Sequence, residues 1–448
     1  MSNISDFTFS YSLAKKYVTT TFKLFYSVYI VVGKENIPVD CPVIFAPNHT
    51  NALMDALAVA SLTPYKMPVV FLARSDIFRN KTAAKILNFA KIMPAFRMRD
   101  GVENLGRNSE IFDRCVEVLH KNKALCIMPE GNQEIERRLR PLAKGIFRIA
   151  FAAQQKYGNQ PAVKIIPVGL DFGSIVKSQK HIIINIGKPI EVSDYIADYE
   201  NNPVSATNDI RERLKNDLIQ NSLHLDTDQY YECFETAIEI GTASYLNKMQ
   251  LPDKPIYRFV ARQKLAQKLV ELEKENPITI QELDLLCTEY SKVLNETNLR
   301  NWTVEQAPFN NVFLFFEGLF IILTFPFFLW GLALNFLPFF IPVYLRKNIF
   351  KPEFSGFYSS LHYTLGAITF PLFYTLESLL FTCFAQVSPW TGVLFFLSLY
   401  PLGKWALKWN STYKKFRARI RYNKLSRSNH PAISEAQILR NKIIDLLQ

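Results

Sequence analysis

From about residue 40 to about residue 195 the chain alternates two kinds of pattern. Short apolar runs (CPVIFAP, PVVFLA, ALCIMPE, AVKIIPVGLDF and HIIINIG) read as buried strands. Between them, TNALMDALAVASL, KTAAKILNFAK, ENLGRNSEIFDRCVEVLHK and GIFRIAFAAQQKYG place apolar residues at helical spacing. Strand and helix in alternation predict an α/β domain with a mostly parallel central sheet, placed here at 31–200.

The flanks carry different patterns. Residues 1–30 are rich in Phe and Tyr with Lys15, Lys16 and Lys23 among them, which suits an amphipathic helix lying in a bilayer interface. The same segment also suits a helix packed on its own domain. Residues 201–305 place apolar positions three and four apart, broken at Pro252, Pro255 and Pro277, and predict a soluble segment of about four helices. Residues 308–405 follow with two long apolar blocks. Val312 to Leu345 holds one ionisable residue, Glu317, and Leu361 to Leu402 holds His362 and Glu377. Each exceeds the roughly 20 residues that cross hydrocarbon once. Basic residues follow both blocks: Arg346, Lys347 and Lys351 after the first, and Lys404 to Arg427 after the second. The positive-inside rule keeps both clusters cytoplasmic. The expected arrangement is therefore two hairpins that turn at Asn335–Pro338 and at Ser388–Gly392, with re-entrant insertion as the alternative, and a basic cytoplasmic tail over 406–448.

Composition sharpens this picture. The net charge is +12 with 49% hydrophobic and 14% aromatic residues. By segment, 1–199 carries about +9, 200–300 about −5, 301–400 about −1 and 401–448 about +9. Charge zoned in this way, with a basic stretch directly after an apolar block, points to an anionic membrane surface and not to nucleic acid. The six cysteines include no CxxC, which argues against a disulfide framework or a zinc site and for a reducing compartment. The N-terminus lacks the compact apolar core of a cleavable signal.

Candidate chemistry sits at the ends of the predicted strands. Asn48-His49 follows one strand, and Asp55 lies in the first turns of the next helix. A histidine oriented by a carboxylate is a general base suited to neutral pH. Because His and Asp six apart do not share a helix face, contact requires His49 on the entry loop with Asp55 reaching back. Met128-Pro129-Glu130-Gly131-Asn132 ends another strand and is followed by Arg137, Arg138, Arg140 and Lys144. A glycine turn with cations beyond it can present donors and cations to a phosphate; read on its own, the segment is more simply a solvated turn and a charged helix face. Arg97 and Arg99 after a third strand can clamp an anion, and Ile166-Pro167-Val168-Gly169 alone reads as core.

In order, these four blocks resemble those of the PlsC-type glycerolipid acyltransferase family: N-H-x(4)-D, an arginine after a strand, F-P-E-G-T-R-S, and a V-P-V-like strand. His49, Glu130, Gly131 and Pro167 match directly, while Arg97 and Arg99 each fit one form of the second block. The resemblance covers roughly 27–195. Five residues separate His49 from Asp55, one more than in the family pattern, a spacing similar to that of the fungal-type glycerol-3-phosphate acyltransferases. Asn132-Gln133 replaces Thr-Arg in the third block, so a phosphate contact has to pass to Arg137, Arg138, Arg140 or Lys144.

The resemblance implies acyl transfer from acyl-CoA or acyl-ACP, as co-substrate, to glycerol-3-phosphate in phosphatidic acid and phospholipid biosynthesis. His49 and Asp55 would be catalytic; Asn48, Arg97, Arg99, Glu130, Gly131, Arg138 and Lys144 would bind substrate. No cofactor or metal is implied. The expected partners are membrane lipid, the acyl donor and a phosphorylated glycerol acceptor, on an integral membrane protein whose catalytic domain faces the cytoplasm. Rival readings are a 1-acylglycerol-3-phosphate or other lysolipid acceptor, and an inactive lipid-binding membrane scaffold.

Overall fold

The computed structural model describes residues 4–95, 105–158 and 161–447. Two compact units emerge. One runs through His224 and also takes Pro352–Tyr363; the other holds Leu225–Lys351 and Thr364–Gln448.

The first unit opens with α1 (Phe9–Phe25), and its described strands form one eight-stranded sheet. These are β1 (Val28–Val32), β2 (Val43–Pro47), β3 (Val69–Arg74), β4 (Ile92–Ala95), β5 (Ala124–Cys126), β6 (Lys164–Phe172), β7 (His181–Ile186) and β8 (Ile190–Glu191). The order is β1-β7-β6-β2-β5-β3-β4, with β8 on β6. All pairings are parallel except β6 with β7 and β6 with β8. The strands are continuously apolar because both faces are covered. Along β2, Val43 and Phe45 enter one core while Ile44 and Ala46 enter the other. One face packs on α4 (Leu105–His120), α5 (Gly145–Tyr157) and α7 (Pro203–Asn221), the other on α1 and α2 (Leu53–Ala60). Two further helices, α3 (Lys81–Phe89) and α6 (Ile196–Asn201), complete the unit.

The domain boundaries differ from the sequence expectation in two places. The aromatic N-terminal run contains α1 and the start of strand β1, because Val28 to Val32 joins the sheet beside β7. The α/β unit also extends past residue 200, since Ile210, Leu214 and Leu218 of α7 complete one of its cores.

Helix α1 packs on its own domain and keeps one face exposed. Tyr11, Lys15, Thr19 and Phe22 are buried, one residue per turn, while Phe9, Leu13, Tyr17 and Leu24 stay exposed beside Lys16 and Lys23. Lys15 is the anchor. Its ammonium donates to Thr63 Oγ1 (2.7 Å), Pro64 O (3.0 Å) and Met67 O (2.8 Å). Burial pulls its pKa down to about 8. Lys15→Met would leave three inward-facing oxygens without a donor, at a cost of about 2–4 kcal/mol. A thermal melt is expected to shift down by roughly 5–10 °C; an unchanged melt would show that α1 is held by its apolar contacts alone.

The second unit is helical: α8 (Tyr231–Lys248), α9 (Pro255–Glu275), α10 (Pro277–Thr297), α11 (Asn301–Glu305), α12 (Asn311–Leu345), most of α13 (Tyr358–Phe384), α14 (Pro389–Arg427) and α15 (Pro431–Leu446). Proline opens α9, α10, α14 and α15, where its missing N–H is not needed. Asn311–Phe350 and Ser355–Phe384 are long and apolar enough to cross a membrane.

The predicted turn at Asn335–Pro338 is absent, because α12 continues through it. Asn335 donates to Gly331 O (2.9 Å) and Leu399 O (3.3 Å) and accepts from the Tyr374 hydroxyl (2.6 Å). Thr369 donates to the Pro338 carbonyl (2.8 Å). Neighbouring helices thus supply hydrogen-bond partners around these prolines, which lets the helix run on in apolar surroundings. The chain does turn between α13 and α14, but at 385–388, and Pro389 to Gly392 of the other predicted turn form the first turn of α14.

Helices α12 and α14 pair antiparallel. Contacts step from Phe309 with Asn423, through Glu317 with Arg419 and Thr324 with Trp409, to Asn335 with Leu399. The basic stretch is no separate tail. It continues α14 without a break, then forms α15, whose Leu439 and Ile443 are buried and whose end receives Lys268 Nζ on Leu447 O (3.0 Å).

Candidate active site

The motif residues gather where β2 and its parallel neighbours end, the edge at which open α/β sheets bind ligands. Asn48 and His49 leave the end of β2. The Asn48 amide is consumed by β6, donating to Leu170 O (3.2 Å) and accepting from Leu170 N (2.7 Å). Asn48 thus ties two strands together and fixes where the next residue emerges.

His49 stands on the entry loop, and Asp55 reaches back from the first turn of α2. The distance from His49 Nδ1 to Asp55 Oδ2 is 2.8 Å. The same oxygen accepts the backbone N–H groups of Thr50 (3.0 Å) and Asn51 (2.7 Å). Ala52, at φ 48°, provides the sharp reversal that brings the helix start back under the loop. Asp55 is fully buried while His49 keeps 18% of its side chain exposed. Burial raises the Asp55 pKa, opposed by His49 and the two N–H groups. With Asp55 accepting at Nδ1, the histidine presents the lone pair of Nε2, the arrangement of a general base.

Glu130 enters after β5. Its Oε1 accepts His49 N (2.7 Å) and its Oε2 accepts Arg140 N (3.0 Å). The carboxylate therefore holds the backbone of His49 and of the basic loop. Burial pushes its pKa from the usual 4.5 up to about 7, against the pull of those two N–H groups. Between these values the native state keeps a proton that the unfolded chain has lost. The associated stability is full below pH 4.5 and declines as pH rises to about 7. Glu130→Gln removes that titration, so its melting temperature is expected to fall less than that of the unsubstituted protein between about pH 5 and about pH 8. Equal slopes in the two proteins would show that Glu130 does not titrate there.

Gly131 makes the turn at φ 68°, its N–H donating to Met128 O (3.1 Å). Beyond it the chain runs back beside the histidine, with Glu134 N at 3.4 Å from His49 O. Arg140 is clasped by Glu134 (Nε to Oε2, 2.9 Å), and Arg137 reaches Phe172 O (3.3 Å) and Asp171 (3.7 Å). Arg138 is half-buried in this loop and Lys144 is exposed at the start of α5. Arg97 and Arg99 lie outside the described residues. Among the described residues no three His, Cys, Asp or Glu side chains gather as a metal-binding group.

The sequence reasoning missed Asn51 and its partner. Asn51 is fully buried and its side-chain oxygen accepts from Ser359 Oγ (2.5 Å), while Tyr363 donates to Val18 O (2.7 Å). No local pattern signals a contact across that sequence separation. The one available cue was the polar Ser359-Ser360 pair at the start of an otherwise apolar helix.

Residues 29–171 match the family model described as Acyltransferase. The chain carries a PlsC-type acyltransferase domain over that stretch. It is 25% identical over 309 residues to glycerol-3-phosphate O-acyltransferase 1 of Saccharomyces cerevisiae, covering 65% of this chain and 39% of that protein. It is 28% identical over 184 residues to a chloroplastic 1-acyl-sn-glycerol-3-phosphate acyltransferase of Brassica napus, covering 40% of this chain and 47% of that one. A crystal structure of the 1-acyl-sn-glycerophosphate acyltransferase PlsC from Thermotoga maritima aligns with a TM-score of 0.34 and 17% identity, over 46% of this chain and 75% of that one. The chain spans less than half the length of the curated relatives it matches. His49 and Asp55 both lie within the matched stretch, and they are the pair found in contact.

Proposed function

We propose that this acyltransferase moves a fatty acyl group from acyl-CoA or acyl-ACP to glycerol-3-phosphate. The observation that carries the reading is His49 Nδ1 held at 2.8 Å by a fully buried carboxylate, with Nε2 left to act. Nε2 takes the proton of the acceptor hydroxyl as its oxygen attacks the thioester carbonyl. The C–O bond forms, the C–S bond breaks, and the leaving thiolate recovers the proton from Nε2. Asp55 holds the tautomer and stabilises the imidazolium between these two transfers. Glu130 and Gly131 shape the loop that carries Arg138 and Lys144 toward the acceptor phosphate, together with Arg97 or Arg99.

Membrane attachment fits an acyl product that partitions into lipid. Exposed Phe9, Leu13 and Leu24 of α1 and the two long apolar helices are its proposed contacts, with the catalytic unit on the cytoplasmic face. Relatives named for 1-acylglycerol-3-phosphate support a second acceptor. The full chain in detergent, given radiolabelled acyl-CoA and each acceptor in turn, is expected to yield 1-acylglycerol-3-phosphate from glycerol-3-phosphate. Transfer to lysophosphatidate alone would replace the first acceptor by the second. No transfer to either would leave the scaffold reading.

A further inference from the structure

The C-terminal helices form a cleft that the acyl-transfer reading does not use. It has a volume of about 740 Å³ and lies where the end of α10 meets α14 and the start of α15. Arg417, Arg421 and Lys424 line it from one face of α14, within about 60° of each other at 100° per residue. Ile420 and Leu425 add apolar surface, and His430, which caps α15, stands at its edge.

The charges here are organised differently from those around them. Arg419, on the opposite face of α14, is ion-paired with Glu317 and packed over Trp302, Phe309 and Phe313; Arg440 is ion-paired with Glu305. Those cations are spent on the fold. Among the described residues no carboxylate pairs with Arg417, Arg421 or Lys424. Arg421 is instead aimed by a hydrogen bond to the carbonyl of Asn298 (2.8 Å), the residue that ends α10. Glu296 is the one acid among the lining residues, so the cleft keeps a net positive charge.

We infer that this cleft binds a phosphate-bearing ligand, made of residues separate from the His49 site, and that the phosphate belongs to a lipid headgroup. Two observations favour the lipid source. The antiparallel pairing of α12 with α14 sets the exposed Val312, Phe313 and Phe316 at the level of Arg417–Arg421, and aromatic residues beside cations mark a membrane–water boundary. The cleft also offers volume and apolar surface beyond the needs of a lone ion.

The inference does not depend on acyl transfer, and its test avoids turnover. The full chain in neutral detergent would be titrated calorimetrically with inorganic pyrophosphate, and separately with short-chain phosphatidic acid or short-chain phosphatidylcholine. Saturable binding of phosphatidic acid is expected in the unsubstituted protein and in His49→Ala. Arg417→Gln with Lys424→Gln is expected to weaken it by about tenfold or more. Lys408→Gln with Lys415→Gln removes the same charge from elsewhere on α14 and is expected to change it by less than about twofold. Pyrophosphate binding without phosphatidic acid binding would keep the phosphate site and overturn the lipid source. Equal loss in both double variants, or no saturable binding of either phosphate probe, would overturn the site.

Discussion

His49→Ala is expected to lower kcat for acyl transfer by about 10³-fold, within the range of 10² to 10⁴ that a positioned general base supplies. The reasoning is geometric. Asp55, Thr50 and Asn51 converge so that Nε2 is the nitrogen offered outward, and alanine removes that nitrogen. The loop should survive the change, because Glu130 holds it through the His49 backbone N–H, which alanine retains. The control is therefore a melt and a circular dichroism spectrum close to those of the unsubstituted protein. Turnover within tenfold of normal in a folded variant would remove His49 from the chemistry.

Asp55→Asn is expected to cost about 10²- to 10⁴-fold in kcat while KM changes little. Asp55 Oδ2 receives three donors at 2.7 to 3.0 Å. An asparagine oxygen in that position can still serve all three donors but lacks the charge that stabilises the imidazolium, while the amide nitrogen in that position would face Nδ1. If that nitrogen faces Nδ1, the proton moves to Nε2 and the base is lost. The split between kcat and KM separates this account from a general collapse, which would move both. Activity within tenfold of normal would reduce Asp55 to a brace for the loop.

Much of the α/β unit could be read in advance because its strands are buried on both faces and so appear as unbroken apolar runs. Helix geometry set only the condition for contact between His49 and Asp55, since six residues do not return to one face; the pairing itself came from the family resemblance. Other features depended on partners far along the chain. Glu130 carries the family motif, yet whether its oxygens meet a ligand or backbone N–H groups depends on the fold of the 131–144 loop. The same holds for Asn48, whose amide was claimed by a strand more than a hundred residues away. The apolar block that looked like a hairpin stayed one helix because Leu399, Thr369 and Tyr374 satisfy polar groups that a proline-containing helix in isolation would leave exposed. In the C-terminal stretch, high positive charge masked the buried stripe of Ile433, Ala436, Leu439 and Ile443 that folds α15 onto its neighbours.

The return of Pro352–Tyr363 to the first unit has a practical consequence. A fragment severed after His224 would hold every motif residue and still be an unfinished domain. It would lack the hydroxyl that donates to the Asn51 side-chain oxygen, two positions from the base, and the Tyr363 ring that packs on Phe22 and Phe25. Weak activity from such an excised piece would therefore report the missing twelve-residue patch, and would say nothing against the chemistry of the histidine. The domain is continuous in space and interrupted in sequence, so its natural limits cannot be drawn with a single cut.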